Sequence, residues 1–129
     1  MIVTRARFLA LVVLTFSPPA GAADIADALR AAERAVNEYM LRTQIIMSCH
    51  PVQTDADKAY FESGEAIGKA TFEQLWAQFD AAVPARHADN GERADEIMKQ
   101  MAVEADVRAE QRFQEGGCAA LEDELKALQ

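Results

Sequence analysis

Residues 24–49 read DIADALRAAERAVNEYMLRTQIIMSC, and their periodicity sets the fold class. Leu29, Ala32, Val36, Tyr39, Thr43 and Ile46 recur at alternating steps of three and four, with Met40 and Met47 widening the stripe. That spacing lays an apolar face along one side of a helix. Arg30, Arg34, Glu38 and Arg42 fall on the other side. Pro51 disfavours helical geometry at His50, so the helix is expected to end near Cys49.

Working outward from that helix, the rest of the chain carries almost no strand signal. Ala, Glu, Arg, Gln and Leu dominate, all good helix formers. A second helix is expected from Thr54, whose hydroxyl can cap it while Asp57 sits three residues on. Its inward stripe is Phe61, Gly64, Gly68, Phe72, Leu75, Phe79 and Val83, with Ile67 and Trp76 alongside. Pro84 and the Asp89-Asn90-Gly91 cluster mark a loop. A third helix is expected over about Glu92 to Gln114, its stripe Met98, Met101, Ala102, Ala105, Ala109 and Phe113 thin enough for close helix contact. Gly116-Gly117 reads as a stop or hinge. A short fourth helix follows, with Cys118, Leu121, Leu125 and Leu128 on one face. Short connections favour antiparallel neighbours. The reading is an all-α, up-down bundle of three long helices and one short C-terminal helix.

Ahead of the bundle, residues 1–7 carry Arg5 and Arg7, an apolar run spans Phe8 to Phe16, and Ala20-Gly21-Ala22 follows Pro18-Pro19. A basic start, a short apolar core and a small-residue site have the form of a cleavable signal peptide over residues 1–22, leaving a single domain over 23–129. Cleavage after Ala22 leaves 107 of the 129 residues and removes two of the 13 basic ones, so a net charge of -8 becomes -10. The export and the composition together place the protein in a bacterial periplasm or secreted. An acidic chain is a poor partner for nucleic acid or anionic lipid, both of which attract Lys and Arg. No membrane span remains after cleavage, and the length fits a monomer or small oligomer.

Cys49 and Cys118 are the two cysteines, and both survive cleavage. In an oxidising compartment an even pair reads as a disulfide, here one that would close most of the mature chain into a loop. Such a closure stabilises by about 4 kcal/mol in the chain-entropy account. A redox dithiol would sit as Cys-x-x-Cys, a spacing this chain lacks.

The remaining candidates are weaker in pattern. Cys49-His50 lacks the first half of a haem-attachment motif, His50 and His87 lack the Glu partners of a di-iron bundle, and zinc spacings are absent. Met40, Met47, Met98 and Met101, with His50, offer thioethers and an imidazole of the kind that suits copper, against the plainer role of flexible core filler. Gly64 and Gly68, four apart in mid-helix, point either to close packing on the Ala-rich third helix or to a shallow groove. Trp76, Phe72, Phe79 and Tyr39 would line a small pocket or simply fill the core. Glu62, Glu65 and Glu73, and Glu104, Asp106 and Glu110, read as solvated faces, with Arg108 and Arg112 placed to pair with acids or receive an anion.

No catalytic motif emerges and no cofactor is implied, so an enzyme is not the expected class. The expectation is a small, acidic, exported helical protein acting by binding, with a periplasmic protein partner. Copper handling through the Met and His side chains is one alternative, and a small-molecule carrier is another. In size, export, helices, single disulfide and carboxylate content, the design resembles the periplasmic acid-stress chaperones of enteric bacteria. That likeness implies a bundle that loosens when its carboxylates are protonated and so exposes Phe and Leu faces.

Overall fold

The computed structural model describes residues 20–129; residues 1–19, which hold most of the expected signal peptide, lie outside the described residues. Helix α1 spans Ala20–Cys49, α2 Asp55–Glu62, α3 Gly64–Ala82 and α4 His87–Leu128, with a single 3-10 turn at Pro84–Arg86 between α3 and α4. Among the described residues there is no strand. None of these helices is long and apolar enough to cross a membrane.

Helix α4 is two helices in sequence. Gly117 sits at φ 66°, ψ -157°, a region essentially reserved for glycine, and the chain reverses there. Arg112 Nε lies 3.5 Å from Glu124 Oε2, whereas an unbroken helix would separate those residues by about 18 Å. Gly116 completes the hairpin, because a Cβ there would lie 2.5 Å from that of Ala120. We call residues 87–116 the stem and residues 118–128 the return helix. The path is therefore up (α1), down (α2 and α3), up (stem) and down (return helix), the bundle that the spacing predicts.

Three expectations need correction. The second helix is not continuous: the chain breaks at Ser63, whose hydroxyl donates to Tyr60 O at 2.6 Å and competes with the helical ladder. Asp89-Asn90-Gly91 is not a loop, and the third helix starts at His87 rather than near Glu92. Turn-forming composition loses there to tertiary partners. Asn90 Nδ2 donates to Asp80 Oδ1 at 3.0 Å and to Val83 O at 2.9 Å, and buried Gly91 receives the Trp76 indole, 2.8 Å from where a Cβ would stand. Finally, Met47 and Val83 are 59% and 45% exposed, so neither belongs to a buried stripe.

The core has two centres. Near the disulfide, Leu41, Ile45, Ala109 and Leu121 pack together, flanked by Cys49, Phe113, Leu125 and Leu128. Near the α3–α4 turn, Leu75, Phe79 and Ala94 are backed by Ile25, Leu29, Phe72, Trp76, Ile97 and Met98. Leu41, Ile45 and Cys49, at steps of four, form a second stripe on α1, nearly opposite Ala32 and Thr43. The C-terminal half of α1 is therefore buried on two sides, which is why its apolar arc is wider than one stripe.

Cys49 and Cys118 are joined, their Cα atoms 5.8 Å apart and 69 positions apart in sequence. Thr54 forms the expected capping box: its hydroxyl accepts from Asp57 N at 3.1 Å while Asp57 Oδ2 accepts from Thr54 N at 3.0 Å. His50 Nδ1 lies 3.0 Å from the same carboxylate oxygen. The backbone N–H of Thr54, then His50, hold the Asp57 carboxyl below the usual carboxylate range. A matching arrangement closes the α3–α4 turn. Asp80 accepts from Asn90 and stands 2.6 Å from His87 Nδ1, and its pKa is likewise lowered, chiefly by Asn90.

Candidate functional site: an apolar groove around Gly68

Glycine in mid-helix costs about 1 kcal/mol relative to alanine, so each one invites a steric reason. Gly64 has one: the phenol of Tyr39 lies directly over it, and Tyr39 is held by stacking on Tyr60 with ring centroids 5.6 Å apart. The close packing at Gly64 is thus with the first helix, not with the Ala-rich third. Gly91 has Trp76. Gly68 has nothing: among the described residues a Cβ there would meet no atom within 4 Å, although the residue sits on the same inward stripe as Leu75 and Thr71.

The open space at Gly68 belongs to a groove of ≈ 180 Å³ where α1, α3 and the stem meet. Val36, Tyr39 and Met40 come from α1, Ile67 and Thr71 from α3, and Met98 and Ala102 from the stem. The one hydroxyl on the α3 wall is already engaged, Thr71 Oγ1 donating to Ile67 O at 2.8 Å. No charged side chain lines it. A space of this kind takes an apolar group by shape and dispersion. Its size is close to the roughly 150 Å³ that accommodates a benzene ring and below the roughly 300 Å³ at which sites for drug-sized ligands begin.

The structure distributes the candidate residues unevenly. Gly64 and Gly68 line the groove together, and Met40 and Met98 meet there. Met47 is exposed on α1, Met101 does not line the groove, and His50 faces Asp57 beyond the end of the helix. Among the described residues no group of three or more His, Cys, Asp or Glu side chains is arranged to hold a metal ion. Trp76 is also outside the groove. Its indole N–H donates to His87 O at 2.9 Å, its ring stacks on His87 at 4.7 Å, and Phe72 tilts against it at 5.5 Å. It ties α3 to the stem instead of lining a pocket with Tyr39.

Arg108 and Arg112 find partners the sequence did not indicate. Arg108 donates to Asn37 Oδ1 at 3.3 Å, and Arg112 pairs with Glu124 across the hairpin. The first joins the stem to α1, and the second requires the chain reversal at Gly117, which brings Glu124 beside the stem. No family model, curated protein or solved structure matches this chain, so the groove's own geometry is what bears on its function.

Proposed function

We propose that this chain is an acidic, exported helical module that acts by binding, its groove at Gly68 receiving one apolar side chain of a protein partner. The observation that carries this reading is Gly68 itself: a helix-weakening residue on the inward stripe with open space above it. Packing explains Gly64 and Gly91, but packing gives no reason for Gly68. The groove's volume supports a single side chain over a cofactor or a larger carried molecule. Export is supported by the form of residues 1–22 and by the disulfide.

The test uses Gly68→Leu, whose Cβ would meet no atom within 4 Å and whose branch would extend into the groove. In cells treated with a cross-linker, wild-type protein is expected to give a discrete adduct that Gly68→Leu loses while keeping its helical circular dichroism. An adduct of equal yield, or none with wild type, overturns the reading. The mass of the protein from the same cells is expected to match a chain starting at Ala23; a retained residue 1–22 segment in the cytoplasm removes the export half of the proposal.

Met40 and Met98 lining one groove favours a second reading, in which two thioethers take Cu(I). Titration of the purified protein decides it: affinity no tighter than about micromolar discards copper.

A further inference from the structure

The return helix is attached in an asymmetric way. At its root, Cys118 is bonded to Cys49 directly after the Gly116-Gly117 reversal. Beyond the root, Leu121 is fully buried against Leu41, Ile45 and Ala109. Further along the packing loosens. A cavity of ≈ 100 Å³ lies between Leu128, Leu41 and Ala105, and a polar cleft of ≈ 520 Å³ opens between Asp123 on the return helix and Arg108 and Glu115 on the stem. The ion pair across that cleft, Arg112 to Glu124, is partly exposed and holds little. Eleven residues are also too few for a helix that persists without tertiary support. The core around Leu75, Phe79 and Ala94 draws on no residue beyond Met98.

We infer that the return helix is a strap released by reduction of Cys49–Cys118, baring the Leu41–Ile45 face of α1 while the core around Leu75 stays closed. Both cysteines are only partly buried. A dithiol supplies the two electrons. Its thiolate attacks one sulfur of the bridge to form a mixed disulfide, and its second thiol then closes the reductant's own disulfide. Cys49 and Cys118 are left as thiols. With the root freed, Gly117 is a swivel, and what remains is one buried leucine, its partly buried neighbours and a weak ion pair.

Hydrogen exchange of the oxidised protein, compared with the same protein in dithiothreitol, tests this. Peptides covering 118–129 and 41–49 are expected to exchange about tenfold faster or more on reduction, while those covering 71–82 and 90–98 keep their protection. Uniform acceleration of all four segments means that the bridge holds the whole fold, and no acceleration means that the strap holds without it; either result overturns the inference. The Cys49→Ser/Cys118→Ser double variant in non-reducing buffer is expected to reproduce the reduced pattern, and full protection of its return helix is contrary evidence. Where that variant does not accumulate, the protein folded first and reduced afterwards decides alone.

Discussion

The two ends of this bundle solve the same problem with different chemistry. At the α3–α4 end, large side chains from three elements interdigitate: Leu75 and Phe79 meet Ile25, Leu29 and Ile97, while Trp76 lies against Gly91 and Asp80 gathers His87 and Asn90. At the disulfide end four residues are buried against three, but only four partly buried side chains pack around them where the other end has seven, the helix that completes the core is short, and a covalent bond ties it down. The first end gains stability from non-covalent contacts that report on the whole fold. The second depends on one bond and one glycine turn, so its stability changes with the chemistry of its surroundings. In a chain of this size, a bridge of this span is an economical substitute for core.

Substitutions sharpen that comparison. The largest effect is expected from Leu75→Ala, because the side chain is 1% exposed and seven partly buried side chains pack around its cluster. A loss of about 3 kcal/mol is expected in urea unfolding, with every probe of structure moving together. Leu121→Ala removes an equally buried leucine, yet with the bridge intact its loss should appear first in hydrogen exchange of residues 118–129. If both variants lower all probes equally, the two ends are one cooperative unit.

Gly117→Ala comes next. A Cβ there meets no atom, so the cost arises from φ 66°, ψ -157° alone, about 2 kcal/mol, and it should fall on the disulfide end. Two helix glycines then give opposite signs. Gly91→Ala drives a methyl into an indole already fixed by His87, with an expected loss of about 1–2 kcal/mol in thermal unfolding. Gly68→Ala meets nothing and should stabilise by up to about 1 kcal/mol. A loss at Gly68 would mean that the groove is already filled.

The smallest effect concerns acid. Asp57 and Asp80 have lowered pKa values in the folded protein, so each contributes stability that is complete above the ordinary carboxylate pKa of 3.8 and fades as pH falls through the lowered value. Asp80→Asn should therefore flatten the acid limb of the stability profile. Asp57→Asn should do the same at the disulfide end. Unchanged near-UV circular dichroism of the wild type from neutral to strongly acidic pH would remove acid loosening as a working principle.

Much of the architecture was legible because helix formation follows local rules. The 3-4 spacing from Leu29 to Ile46, the Thr54-Asp57 capping box, the helix end before Pro51 and the reversal at Gly116-Gly117 each rest on a few neighbouring residues. The cysteine pairing was legible for the simpler reason that there are two. Less legible was the second stripe, Leu41-Ile45-Cys49, which runs beside the charged row of α1. Its steps of four were present in the sequence, and a cysteine at the end of an apolar row was the available signal.

The groove was legible as a possibility and no further. Gly64 and Gly68 stand on one face at equivalent positions, and nothing local distinguishes them. Tyr39 covers one and leaves the other open, a difference set by where α1 crosses α3. The same holds for Asp89-Asn90-Gly91, whose composition favours a turn until Asp80, Val83 and Trp76 supply partners for a helix.

By itself, then, the sequence determined an all-helical chain, its main breaks, its reversal and its one covalent link, because capping, proline sterics, glycine torsions and cysteine chemistry act over a few residues. Tertiary structure alone decided which glycine is packed and which is open, which arginine meets Glu124, and that the core has two centres. Those outcomes depend on how helices approach one another, and the approach is set by side chains far apart in the chain.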